Sequence, residues 1–324
     1  MAYRRGQAPG GLDTDGVRKF TDQELLRVQR ATADMDKTVA EIQSDITGVQ
    51  TDITNLQNAD TALDARLDIL EASKLASNDW KFVIGSATTC FLTSFNGNKI
   101  KINGQYWTIP NVGVQITNSG LAANTVYYCY ATISGGNIAL SWSNTGHVRS
   151  ASSGNEGVEI LSGNDLYSLV GMVRTNAASQ FENTETARHV RSWKNDNGIR
   201  SHRSLATTFN LATPSVWVED TNMRISLLLW NAEKIFVSGL ALAYHSATGA
   251  AFYVGVYVNG STVLGMYSAN SAPGVGYWTS IPISHSWDML GDTQLIVGMA
   301  MHTSSATMTT INRALNVLTS RDSG

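Results

Sequence analysis

Six histidines, His147, His189, His202, His245, His285 and His302, are the side chains of this sequence best suited to proton transfer or metal binding. They are dispersed, with none of the short spacings that bring two ligands to one ion. HExxH, paired CxxC, Walker A and GxSxG patterns are absent from the sequence. Among the carboxylates, Glu219 and Asp220 are adjacent, so on a strand they point to opposite faces and cannot flank one glycosidic bond. Asp288 and Asp292 fall in expected loops. "DTDG" at Asp13 to Gly16 starts like a calcium loop but lacks the later ligands. The residues therefore predict no enzyme, no cofactor and no metal.

Binding is better served. Aromatics are dense toward the C-terminus, where "SAPGVGYWTSIP" and "ISHSWDMLGD" put Tyr277, Trp278, His285, Trp287 and Asp288 at strand ends or in loops. Rigid rings in such places stack on sugars while Asp and His bond the hydroxyls, so these five, grouped near one end of the domain, form a candidate glycan site. A second chemical cluster, Arg188, Arg191, Lys194 and Arg200 with His189 and His202, is expected to pair with Glu182, Glu185 and Asp196, and an arginine is expected to stack on Trp193 or on a ring of a neighbouring subunit.

These groups must be held by β-structure. From Ser204 onward, strand patterns recur over 215–218, 223–230, 235–243, 251–258, 262–266, 276–283, 294–301 and 307–317, separated by turn residues and without helical periodicity. That spacing predicts a C-terminal β-sandwich of jelly-roll type over 204–324. A middle β-domain is expected over 80–180, with hairpin turns at Asn103-Gly104 and, in the terminal domain, at Asn259-Gly260. In the strand over 125–133, Tyr128 and Tyr130 share one face while Tyr127, Cys129, Ala131 and Ile133 share the other, so it requires cover on both sides, for which a neighbouring subunit is one candidate. Residues 181–203 read as a polar bridge, and Cys90 and Cys129 as buried free thiols.

The start of the chain obeys another period. With Val39 at heptad position a, Leu25, Val39, Ile46, Ile53 and Leu67 occupy a, and Val28, Met35, Ile42, Val49, Leu56, Leu63 and Leu70 occupy d. Thr32 and Asp60 are the polar exceptions at a. A 3.5-residue period sustained this far predicts a coiled coil over 21–74, capped by Thr21 with Glu24. β-branched Ile42 and Val49 at d disfavour a dimer and point to a parallel homotrimer. The preceding peptide, 1–20, lacks apolar periodicity and reads as a flexible anchor with Tyr3, Arg4, Arg5 and Leu12 as contacts to another protein.

The 23 basic and 26 acidic residues, a net charge of -3, argue against a broad nucleic-acid-binding surface. Apolar runs are far too short to cross a membrane, and "MAYRRGQAPGG" lacks the apolar core of a secretory signal.

"INGQYWTIPNVGVQITNSGLAANTVYYCYA" and "TGHVRSASSGNEGVEILSGNDLYSLVGMVRTNAASQFENTETARHVRSWKN", together about Ile102 to Asn195, resemble a module of tail-fibre and related virion fibre proteins of tailed bacteriophages. The resemblance implies a fibre layout of attaching N-terminal peptide, trimeric stalk and distal β-domains, a place on the virion, and no catalytic residues. The expectation is an elongated homotrimeric fibre, bound to another virion protein by its N-terminus and touching host surface polysaccharide with its tip. The rival expectations are a structural adaptor docking another virion component and a glycan-degrading spike.

Overall fold

The computed structural model describes residues 14–76, 80–213, 215–271, 275–304 and 307–321. It separates into two compact units, Met1–Ala72 and Ser73–Gly324. The architecture is one long helix followed by several β-sheets.

Helix α1 spans Thr14–Ala76, 63 residues, or roughly 95 Å at about 1.5 Å per residue. It begins a full turn and more before Thr21, so Thr21 is interior rather than the N-cap, and residues 14–20 are helical rather than part of a flexible peptide. The heptads mark where the apolar stripe starts. They do not mark where the backbone helix starts, and no proline intervenes to stop it earlier. The helix tolerates its many threonines because their hydroxyls turn back onto the preceding turn: Thr32 Oγ1 donates to the Val28 carbonyl at 3.0 Å, and Thr38, Thr47, Thr51, Thr54 and Thr61 do the same four residues back. Thr32 thus satisfies its hydroxyl within its own helix although it occupies heptad position a. Tyr3, Arg4, Arg5 and Leu12 lie outside the described residues.

Among the described residues the second unit contains 21 strands. Its first part holds β1 (Trp80–Ser86), β2 (Thr89–Ser94), β3 (Lys99–Ile102), β4 (Gln105–Thr108), β5 (Val114–Thr117), β6 (Val126–Ser134), β7 (Asn137–Ser143), β8 (His147–Arg149), β9 (Glu159–Leu161), β10 (Asn164–Arg174), β11 (Ala187–Arg188) and β12 (Val190–Ser192). A sheet β1-β2-β5, the ribbon β3-β4 and the sheet β7-β6-β10-β9-β8, with β12 added to β10, enclose a core of Phe82, Cys90, Leu92, Ile102, Cys129 and Val170. Both cysteines are free and buried, and burial pushes the Cys90 thiol up to about 12. The β3-β4 turn has Asn103 and Gly104 at φ 49° and 76°, the left-handed pair that the Asn-Gly sequence predicts.

The second part holds β13 (Arg200–Leu205), β14 (Phe209–Leu211), β15 (Val218–Leu229), β16 (Lys234–His245), β17 (Ala251–Val258), β18 (Ser261–Ser271), β19 (Thr279–Asp288), β20 (Thr293–Thr303) and β21 (Met308–Ser320). They form two sheets, β11-β15-β20-β17-β18 and β13-β21-β16-β19 with β14 beside β21. Inward residues of both, including Ile225, Leu227, Val254, Val237, Ile281 and Leu315, share one buried cluster. Of the expected strand 215–218 only Val218 is extended, as the first residue of β15, which takes in residues 223–229 of the next expected strand and has a register shift between Asp220 and Ile225.

The expected division into middle domain, bridge and terminal domain gives way to one compact unit. Residues 181–203 are not a bridge but three strands sewn into both halves: β12 pairs with β10, β11 runs parallel to β15, and β13 pairs with β21. Backbone groups in a buried connection need partners, and here sheet edges supply them. The two-faced strand β6 finds its second cover in the same chain, since Tyr130 clusters with Leu169, Met172, Leu228 and Trp230.

Gly171 on β10 sits where a Cβ would lie 2.4 Å from the Arg191 carbonyl oxygen and 2.5 Å from the Phe82 ring. Gly171→Ala should cost about 1–3 kcal/mol through overpacking, read as a lower denaturant midpoint with an unchanged slope; an unchanged midpoint would show that the β10–β12 pair has room to spare.

Candidate functional site

Two structural features bear on function: the apolar stripe of α1 and an ionic and aromatic seam inside the β unit. Along the helix, Leu25, Val28, Met35, Val39, Ile42, Ile46, Val49, Ile53, Leu56, Leu63 and Leu67 are all exposed, from 50% at Ile53 to 69% at Leu56. The side chain of Leu70 lies outside those described. A surface helix in a finished fold hides such a stripe; here it faces water along its length. Ile42, Ile46, Val49 and Ile53 line a shallow groove along this stripe.

The glycan candidates are not gathered as the sequence suggested. Tyr277 and Trp278 precede β19, and Trp278 packs on Tyr244 with ring centroids 4.5 Å apart. Trp287 and Asp288 close the same strand at its other end, where Asp288 opposes Lys234. Nine residues of extended chain separate Trp278 from Trp287, roughly 30 Å at about 3.3 Å per residue. His285 stacks near Trp287, centroids 5.9 Å apart, and Trp287 also packs on the core. The five residues therefore divide into two groups that one sugar cannot reach. Tyr277, 64% exposed, and Trp278, 44% exposed, are the accessible group.

The seam was not foreseen. His147 on β8 places Nδ1 2.7 Å from Glu159 Oε2 on β9 and Nε2 3.0 Å from Asp292 Oδ2, which lies between β19 and β20. Tyr128 donates to the same Asp292 oxygen at 3.1 Å, and the Asn231 N–H donates to its other oxygen at 2.7 Å. Burial works against the imidazolium, but the hydrogen bonds and charges of Asp292 and Glu159 outweigh it and raise the His147 pKa to about 9. Burial likewise works against both carboxylates, and bonds to His147 overcome it, holding them below their usual range. With each ring nitrogen facing a carboxylate, His147 is placed as a charged tie and not as a base for a hydroxyl. The rings of Trp193 and Trp230 lie 4.9 and 5.9 Å from it.

Beside this tie, Arg191 on β12 is 3% exposed and spends its whole guanidinium internally. Nε meets Asp196 at 2.7 Å, Nη2 meets Glu233 at 3.0 Å, and Nη1 donates to the Leu228 carbonyl at 2.7 Å. Glu233 is fully buried, accepting also from the Trp230 N–H at 3.1 Å and from the Thr319 hydroxyl. The pairing of Arg191 with Asp196 agrees with the sequence expectation. Glu233 is a partner 42 residues away that no local pattern shows. An arginine does stack on Trp193, but it is Arg321, with Cζ 3.8 Å from the ring centroid. The other expected pairing, of Glu182 and Glu185 with the basic cluster, forms no ion pair among the described residues. His189 instead meets Ser226 Oγ at 2.7 Å, and burial followed by the charge of Arg174 lowers its pKa to about 4. Among the described residues, no group of three or more His, Cys, Asp or Glu side chains converges as a metal site would. No described helix is long and apolar enough to cross a membrane.

No protein-family model matches this chain, and no curated protein matches it. Solved structures similar to it include an Eiger TNF from S. frugiperda, 6% identical over 40% of this chain and 96% of that one, with a TM-score of 0.28. The VP2 subviral particle of infectious bursal disease virus is 15% identical over 74% and 69%, with a TM-score of 0.28. The insecticidal delta-endotoxin Cry8Ea1 from Bacillus thuringiensis is 10% identical over 74% and 52%, with a TM-score of 0.23. Likenesses this slight carry no conclusion about this chain.

His147 sets a pH dependence whose sign is fixed. Its folded pKa of about 9 stands above the ordinary 6.5, so its contribution is complete below pH 6.5 and is lost as pH rises through 9. The loss should reach about 3 kcal/mol. Urea titrations from pH 6 to 10 should show that decline, and His147→Gln should flatten it; a slope unchanged in the variant would assign the titration elsewhere.

Proposed function

We propose that this chain is the subunit of a structural fibre on a tailed-bacteriophage virion. Three copies wind together through a parallel coiled coil over residues 21–74, the N-terminal segment attaches to another virion protein, and the terminal β region contacts host surface glycan. The observation that carries the reading is the exposed stripe from Leu25 to Leu67. A helix of this length with a sustained heptad face is stable in water only when that face is covered by a partner. Ile42 and Val49 at d favour three strands over two. The resemblance of residues 102–195 to phage fibre modules supplies the biological setting.

The fold of the terminal region agrees with a jelly-roll sandwich. Counting β13 as the first strand and β15 to β21 as the second to eighth, the sheets read 1-8-3-6 and 2-7-4-5. Strands 1 and 8, 2 and 7, 3 and 6, and 4 and 5 are paired, the pattern of one long hairpin rolled on itself. At one end of it the exposed Tyr277 and the Trp278–Tyr244 pair offer rings to a sugar, and three copies would multiply a weak contact through avidity.

Light scattering of the full chain should give three copies, and Ile46→Asn with Ile53→Asn should shift it toward monomer by tenfold or more in concentration. A monomeric unaltered chain would remove the fibre reading. On immobilised host polysaccharide the full chain should bind, and Trp278→Ala should weaken binding at least tenfold. An oligomer that leaves the polysaccharide untouched would instead favour docking of the terminal region onto another virion component.

A further inference from the structure

The sheet β13-β21-β16-β19 commits its inner face to the core, and its outer face is unlike an ordinary solvated sheet. Phe236 and Leu240 on β16 and Leu318 on β21 point outward, 43%, 41% and 43% exposed. Register sets Phe236 between Leu318 and Ser286, and Leu240 between Ala314 and Pro282. The row between them runs His202, Asn316, Ser238 and Ser284, with His202 Nδ1 2.7 Å from Asn316 Oδ1, so the centre of the face holds no Lys, Arg, Asp or Glu. A shallow groove crosses it between Phe236 and Leu318. Arg200, Lys234 and Asp288 stand only at its rim. The other sheet differs: its outer side carries the exposed Arg224 paired with Glu219, and Leu228 there is already covered by the first part of the unit.

We propose that this outer face is a contact between copies of the chain, with the terminal region of one copy packing on that of its neighbour. The inference rests on the fibre reading, because the stripe of α1 is what names the occupant as a second copy. Copies related by rotation bring the same residue types together near the axis, where any charge would be repeated and repelled. A centre free of Lys, Arg, Asp and Glu, flanked by apolar rows and with charges at the rim, is suited to that arrangement. Four strands about 4.8 Å apart and roughly 30 Å long present about 600 Å², short of the about 800 Å² per partner of a stable interface. The contact therefore depends on tethering through the helices, which raises the effective concentration of one face for another.

The test is the thiol reactivity of full-length Ser238→Cys, with Thr221→Cys on the outward part of β15 as the exposed reference. Cys90 and Cys129 are buried and add little background. In the intact oligomer Cys at 238 should react at least tenfold more slowly than Cys at 221, and Phe236→Lys should restore its rate. In a chain made monomeric by Ile46→Asn with Ile53→Asn, the two positions should react alike. An oligomer in which position 238 reacts as fast as 221 would overturn this inference and leave the fibre reading intact. Protection that persists in the monomeric variant would also overturn it, because the chain's own segments would then cover the face. A monomeric unaltered chain would remove both.

Discussion

The constraint that dominates this protein is a stripe of aliphatic side chains, 25 to 67, that its own chain leaves in water. Full burial of one Leu, Ile, Val or Met is worth about 1.5–3 kcal/mol, so covering these eleven half-exposed side chains is of the same order as the roughly 4–15 kcal/mol cost of an association step. The polar side chains of α1 do not compete with that demand. Six of its threonines bond back within the helix, and among the described residues its ion pairs, Glu24–Arg27 and Lys37–Glu41, are long and exposed. What the helix lacks is cover, and only another apolar surface supplies it.

The β unit solves the opposite problem, because its difficulty is charge that has been taken out of water. Arg191, Glu233, His147, Glu159 and Asp292 come from strands and loops of both parts and are all paired. An ion buried without its partner is costly, so each pair disfavours any arrangement that separates the two parts. Trp193 and Trp230, with centroids 4.9 Å apart, and Arg321 over Trp193 fill the space around the ions and exclude water. The seam ties the two sets of sheets into one compact unit.

Tyr244, which packs on Trp278, lies on the same outward side of β16 as Phe236 and Leu240. On the proposed reading the copy contact therefore takes the Phe236–Leu240 stretch of that sheet, and the Tyr277 and Trp278 rings offered to a sugar stand at its far end. Binding energy then need not be large at any single site.

Much of this was legible beforehand, for reasons local in sequence. The heptads, the two Asn-Gly hairpins and most strands from 251 onward depend on residues a few positions apart, and periods of 3.5 and 2 express the covered face directly. The start of the helix was misplaced because a capping pattern at Thr21 does not oblige a helix to begin there. The bridge was misread because polarity marks loops only on average, and β11, β12 and β13 are polar strands with partners far away. The His147 tie joins residues 12 and 145 apart, and no spacing rule links them. By itself the sequence determined that the chain begins with a long helix bearing an apolar stripe and that the remainder is β-structure, because both follow from periodicity. Only the tertiary structure decided which charges share a seam, which aromatics stand apart and which sheet face is left bare, because those depend on how distant strands register against one another.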